Sequence, residues 1–268
     1  MPLLDVNGTQ VHVCDTGGDG PPVVLGHGLL FSGWMFEAQV EALRSRFRCV
    51  TIDWRGQGQS PPARSGGYDM DTLTGDLVGV LDALGLDAVH YVGLSMGGFV
   101  GMRLAARHPD RVRTLTLLDT SAGPEDPDKI SQYRLLAAVY RLVGIGPVAG
   151  KVEPIMFAPG FGDDPAERAQ VEEWMRRLRR VRRGGMTKAI RGVTDRVAIM
   201  PELGQISAPT LVATGEHDVA TPVAKAEAIA AAIAGARLVI IPGAGHSSTI
   251  ERPDAVTQIL ERHLTEHV

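Results

Sequence analysis

The chain has 268 residues, 44% hydrophobic and 22% charged, with a formal net charge of −4. That balance fits one soluble globular domain with room for a sizeable insertion, and it speaks against general nucleic-acid binding, which needs a basic surface. No stretch approaches the ~18 consecutive apolar residues of a membrane span, and no basic-then-apolar leader opens the chain, so a cytoplasmic protein is expected.

In chain order, Gln10–Thr16 alternates apolar and polar residues, as an outer antiparallel strand does. Pro22–Gly26 is wholly apolar, the mark of a strand covered on both faces. Gly33–Arg44 reads as helix, with Trp34, Val40 and Leu43 among its apolar positions, and Arg48–Asp53 reads as strand. Tyr68–Leu84 carries Leu73, Leu77, Val80, Leu81 and Leu84 at helical spacing. Ala88–Leu94 is a strand, Met96–His108 a helix and Arg111–Asp119 a strand. After a gap come the strand Thr210–Gly215, the helix Pro222–Ile233, the strand Arg237–Ile241 and the helix Pro253–Leu264. Repeated βα units of this kind predict a mostly parallel sheet flanked by helices. Cys14 and Cys49 lie in strand-like runs; two cysteines build no disulfide framework, and both are expected as reduced core residues.

The gap, about Ser121 to Gln205, shows no convincing buried strand. Helical stretches around Ser131–Val143, Pro165–Arg183 and Thr187–Met200, with Gly/Pro-rich breaks between them, predict a helical insertion rather than an improbably long loop. Within it, residues 176–183 hold six arginines in eight positions. Trp174, Leu178 and Val181 recur at helical spacing, so the arginines are expected to face water from an amphipathic helix. Steering of an anionic substrate is the lesser reading.

The stretch HYVGLSMGGFVG, residues 90–101, sets Ser95 among glycines between a strand and a helix. Ligand chemistry in open α/β sheets sits at the carboxyl ends of strands. Gly93-Leu94-Ser95-Met96-Gly97 fits the nucleophile elbow G-x-S-x-G, in which small residues two before and two after the serine let the turn close. A serine hydroxyl needs a base, and the base an orienting acid. Asp218 follows one later strand and His246 the next, in the order Ser, Asp, His. Asp119 ends the preceding strand and is the competing acid. The oxyanion hole is expected from the Met96 N–H, at a helix N-terminus, and the Leu29 N–H, in the loop after Pro22–Gly26. Asp53 and His27 are expected to hold loops rather than to react. His263 and His267, four apart on a helix, have a metal-compatible spacing but no third ligand in view, so no metal is expected.

These motifs together resemble the α/β-hydrolase superfamily over nearly the whole chain. Besides the elbow, His27-Gly28 resembles the family's oxyanion loop, and Asp53-Trp54-Arg55-Gly56-Gln57-Gly58-Gln59-Ser60 its D-x-R-G-x-G-x-S turn. Gly215-Glu216-His217-Asp218 and Gly243-Ala244-Gly245-His246 resemble its acid and base loops. The resemblance implies an eight-stranded sheet, with residues 1–120 and 206–268 as the core and 121–205 as a helical cap between strands 6 and 7. It implies no cofactor, a small-molecule ester or lactone as substrate, and a monomer or homodimer. Serine in the elbow argues against the dehalogenase and epoxide-hydrolase branches, which carry aspartate there. Gly33–Val40, Ser95–Gly98 and Asp119–Ala122 resemble the 3-oxoadipate enol-lactonase group. Ser-Met-Gly-Gly is shared with cofactor-free haloperoxidases and perhydrolases, but Leu29-Leu30 stands where those carry an aromatic residue and a proline.

The expected reaction is carboxylic ester hydrolysis through an acyl-enzyme, with lactone hydrolysis and perhydrolase chemistry as alternatives. A ligand-binding receptor of the same fold is the alternative from another class. Leu29, Leu30, Met96, Met156, Phe157 and Trp174 are the expected apolar residues around the substrate.

Overall fold

The structure, a computed structural model, describes residues 3–267. It opens with a hairpin of β1 (Leu3–Val6) and β2 (Thr9–Asp15). The two residues between them, Asn7 and Gly8, have φ of 45° and 73°. Two positive φ values make the turn whose twist matches that of paired strands, and Asn-Gly is its strongest sequence signal. Then come β3 (Pro22–Gly26), α1 (Glu37–Leu43), β4 (Arg48–Asp53), α2 (Met70–Ala83), β5 (Val89–Leu94), α3 (Met96–Arg107) and β6 (Val112–Leu118). Four helices, α4 (Pro127–Val143), α5 (Ala149–Met156), α6 (Pro165–Leu178) and α7 (Arg183–Thr194), precede β7 (Thr210–Gly215). The chain closes with α8 (Val223–Ala232), β8 (Arg237–Ile241), α9 (Ser248–Glu251) and α10 (Pro253–Thr265).

The eight strands form one sheet in the order β1-β2-β4-β3-β5-β6-β7-β8. The β1–β2 and β2–β4 pairs are antiparallel and the remaining pairs parallel. β5 and β7 are buried along their whole length. Two apolar cores cover the faces. One holds Leu73, Leu77 and Val80 of α2, Val100 and Leu104 of α3, and Ile229 of α8. The other joins Leu43 of α1 and Val256 and Leu260 of α10 to Tyr140, Met156, Trp174 and Leu178 of the insertion. Each such aliphatic side chain taken from water stabilises the fold by about 1.5–3 kcal/mol before chain entropy is counted. Beneath the turn after β4, Arg55 is ion-paired with Asp76 with both side chains almost fully buried, and Arg55 Nη1 also donates to Gly67 O at 2.9 Å. Among the described residues no helix is long and apolar enough to cross a membrane.

The insertion departs in detail from the sequence expectation. α6 stops at Leu178 instead of running to Arg183, and α7 starts at Arg183 instead of Thr187. There are two apolar stripes, Trp174 and Leu178 on α6 and Met186, Ala189 and Val193 on α7, and the chain turns between them. α7 ends at Thr194, short of Met200, because the backbone is drawn off to the core: Ile199 N–H and Met200 N–H both donate to Ala122 O, at 2.9 and 3.2 Å. α5 is an addition to the expected helices; it is short and contains Pro154, so its sequence carries no helical signature. Cys14 is exposed rather than in the core: Val11 and Val13 take the core-facing positions of β2, and strand alternation turns Cys14 outward. Cys49 is buried, which pushes its thiol pKa up to about 11.

Candidate active site

β5 runs up the middle of the sheet and delivers Ser95 at its carboxyl end. Ser95 has φ 51° and ψ −111°, a conformation that a residue with a side chain rarely adopts. Its neighbours hold it there. Ser95 N–H donates to Leu118 O at 2.9 Å, and the Thr120 hydroxyl donates to Ser95 O at 2.8 Å. The buried Tyr91 hydroxyl donates to Gly97 O at 2.9 Å. The flanking glycines make room for backbone: a Cβ on Gly97 would lie 2.0 Å from Gly26 O, and one on Gly93 would lie 2.4 Å from Gly97 O.

The loop after β7 carries Asp218, and the loop after β8 carries His246. Asp218 Oδ2 lies 2.9 Å from His246 Nδ1. Because an ionised carboxylate only accepts, this contact assigns the imidazole proton to Nδ1 and leaves Nε2 as the lone pair. Asp218 is itself fixed: Oδ1 accepts the Ala220 and Thr221 N–H groups at 2.8 Å each, and Oδ2 accepts the Thr221 hydroxyl at 2.7 Å. Burial works against ionisation of Asp218, but His246 and the Thr221 hydrogen bonds outweigh it and hold the carboxyl below its usual range. Burial likewise opposes the imidazolium of His246, yet the Asp218 carboxylate raises its pKa above the ordinary histidine value.

Asp119, the competing acid, is turned elsewhere. It accepts Gly215 N–H at 2.8 Å and the Ser248 hydroxyl at 2.5 Å. Full burial, reinforced by nearby Asp218, raises its pKa well above the usual carboxylate range.

Around Ser95 the backbone offers two donors. Met96 N–H is at the first turn of α3, where amides have no intrahelical partner. Leu29 N–H has no acceptor among the described residues, whereas the next amide, Leu30 N–H, donates to Gln57 Oε1 at 3.3 Å. Gln57 Nε2 reaches Met96 Sδ at 3.7 Å, so this buried amide spans the two loops that bear those donors. His27 is a brace: Nδ1 bonds to Gly28 O at 2.7 Å, and Nε2 accepts Trp54 N–H at 3.0 Å. Its burial lowers its pKa, which keeps it neutral for both bonds. Asp53 is also structural, accepting Gly33 and Gln59 N–H groups and lying 3.2 Å from His12 Nδ1.

Ser95 and His246 face a cavity of about 120 Å³. Leu29, Leu30 and Met156 line it. Phe157 and Trp174 stand outside its walls, in an aromatic cluster with Phe31 at centroid separations of 5.5–6.3 Å. Trp174 Nε1 donates to Leu30 O at 3.1 Å, so it braces the loop beside the cavity. Of the arginine cluster, Arg176 and Arg177 pair with Glu173, and Arg177 stacks over Trp34. His263, Glu266 and His267 offer ligand atoms within 4.8 Å of one another, but Arg237 donates to His263 Nδ1 and pairs with Glu266.

Three residues of this site carry no sequence flag. Gln57 is a variable position of its turn, and Thr120 is only the residue after a strand end. The third, Glu251, is buried, and its carboxylate accepts N–H groups from Ala158, Gly245 and Ser247 at 2.8, 3.0 and 3.0 Å. It thereby joins the His246 loop to the end of α5.

A family model described as alpha/beta hydrolase fold matches residues 21–144, and one described as TAP-like protein matches residues 191–267. The chain is 28% identical over 246 residues to 3-oxoadipate enol-lactonase 2 of Acinetobacter baylyi, covering 91% of this chain and 88% of the relative. Among solved structures it is similar to a thermophilic esterase from Thermogutta terrifontis, at 31% identity and a TM-score of 0.91 with full coverage of both chains. It is equally similar to the enol-lactonase from Burkholderia xenovorans LB400, at 34% identity and a TM-score of 0.91, covering 98% of this chain and 100% of that one.

Proposed function

This chain belongs to the α/β-hydrolase fold family, and from that premise we propose that it is a serine hydrolase cleaving carboxylic esters of small to medium size through an acyl-enzyme. The observation that carries this reading is the Asp218–His246 hydrogen bond set beside a conformationally strained Ser95 on one apolar cavity.

His246 Nε2 takes the Ser95 Oγ proton as the oxygen attacks the ester carbonyl. The Leu29 and Met96 amides receive the oxyanion, each such donor contributing about 3 kcal/mol of barrier lowering. Collapse breaks the C–O bond to the alcohol, which leaves with the proton from His246. Water, deprotonated by the same nitrogen, then releases the acid and restores Ser95. Asp218 keeps the imidazole in the required tautomer and stabilises its charged form. A lactone passes through the same steps with its leaving oxygen still tethered, and similarity to two enol-lactonases favours testing it beside the open-chain esters. We assign residues 121–205 as the cap over this site and 1–120 with 206–268 as the catalytic core. Free thiols at Cys14 and Cys49 suit a reducing cytoplasm.

The test is hydrolysis of p-nitrophenyl esters from acetate to laurate, with Ser95→Ala alongside. Steady turnover with a chain-length optimum is expected, falling at least about 1,000-fold in the variant. Equal rates in the two proteins would place the reaction at some other group.

A further inference from the structure

Apart from His246, the cavity beside Ser95 has one basic side chain in its wall, Arg196, and one acidic one, Glu125. Both side chains are nearly inaccessible, at 2% and 8% exposure, and they pair at 2.8 Å through Arg196 Nη1 and Glu125 Oε2. The remaining donors of Arg196 are also largely committed. Nη1 reaches Val193 O at 2.9 Å, Nε reaches Gly123 O at 3.1 Å and Nη2 reaches Pro124 O at 3.1 Å. One face of the guanidinium lies over the Phe99 ring at 4.4 Å. A guanidinium has five N–H donors, so four are spent before any ligand arrives. Glu125 Oε1 is engaged too, by Asp126 N–H at 3.0 Å.

A carboxylate entering this cavity would lose its hydration and meet no free guanidinium fork to replace it. The pair cancels the cation's charge and sets a second carboxylate on the same wall. Tyr133 and Tyr140 also line the cavity, but their hydroxyls bring no positive charge. Most of the remaining wall is aliphatic.

We propose that this site, if it is the ester hydrolase described above, accepts esters and lactones whose acyl part is uncharged and apolar and rejects those with a distal carboxylate, with Glu125 as the specificity-determining residue. Glu125 does this by neutralising and occupying Arg196. Without it, the same arginine is the natural clamp for an anionic acyl tail.

The experiment compares matched p-nitrophenyl esters: pentanoate, hexanoate and octanoate against the monoesters of glutaric, adipic and suberic acid. The three lengths cover different depths of cavity. Wild-type protein is expected to favour the neutral member by about 100-fold or more in kcat/KM at every length, as like-charge contact and lost hydration dictate. Glu125→Gln keeps an oxygen for Arg196 but uncovers its charge, so the ratio should move at least about tenfold toward the carboxylate ester at one length or more, chiefly through KM. Wild-type rates within threefold for every pair would overturn the proposal, as would a folded Glu125→Gln protein with an unchanged ratio. If that variant does not fold, the wild-type pairs decide alone. Ser95-dependent turnover of the neutral esters separates failure of this proposal from failure of the hydrolase reading; absence of turnover on every ester overturns both.

Discussion

His246 shows how two opposing effects set one side chain's chemistry. Burial favours the neutral ring and Asp218 favours the charged one, and the carboxylate prevails. A base must be neutral to accept a proton, so a raised pKa moves the acid limb of the kcat/KM profile above the ordinary histidine value of 6.5. Asp218→Asn removes the cause of the rise but leaves the burial. The acid limb should then shift to lower pH while kcat falls by about 1,000- to 10,000-fold, because the amide no longer holds the reactive tautomer. A pH–rate series on both proteins checks it, and an unmoved limb would reassign the acid. The sequence already pointed to Ser95, Asp218 and His246, because a strand end followed by a small, polar loop is a local pattern. It favours Asp218 over Asp119, although both follow strands; in the fold Asp218 lies 2.9 Å from His246 Nδ1, whereas Asp119 bonds to Gly215 and Ser248. Gln57, Thr120 and Glu251 were illegible for a different reason. Each acts by hydrogen-bonding a backbone group or side chain brought near by folding, and no local pattern marks that.

At the scale of elements, the junction of β5 and α3 is the least forgiving. Gly97→Ala would press a methyl group against Gly26 O in the neighbouring strand, a contact between two backbones that no rotamer relieves. It should lower stability by about 3 kcal/mol, read as a reduced urea midpoint at constant slope, and any surviving folded protein should lack the proposed ester turnover. An unchanged midpoint would mean that α3 slides away from β3 at little cost. The strands β3, β4, β7 and β8 have the bounds their composition suggests; β3, β4 and β7 are buried along nearly their whole length, whereas β8, at the sheet edge, is mostly exposed and shows only as an apolar run. β1 has no signature of its own in the sequence despite its Asn-Gly turn, because four residues of mixed polarity carry no period. The sequence locates the long helices of the insertion but not their ends. Their ends are set by contacts with the core, such as Ala122 O, that lie far away in sequence.

Across the whole molecule, one buried carboxylate ties the insertion to the loop that carries His246. Glu251 ties Ala158, at the end of α5, to Gly245 and Ser247 on either side of His246. Glu251→Gln must turn an NH2 group toward at least one of those N–H donors. The expected result is a loss of about 2 kcal/mol, several degrees in Tm, and faster amide hydrogen exchange at all three partners together. Exchange that quickens at Ala158 alone would show the His246 loop to be held independently of the insertion. The two ends of the insertion, meanwhile, are fastened side by side, with Ala122 accepting from Ile199 and Met200. A segment whose ends already touch can be lengthened, shortened or exchanged at small cost in chain entropy. Evolution, or a laboratory graft across that neck, can therefore redraw most of the cavity wall, from Tyr133 to Thr194, while Ser95, Asp218 and His246 keep the backbone that holds them. On the proposed reading, substrate choice and bond cleavage lie on separate stretches of chain.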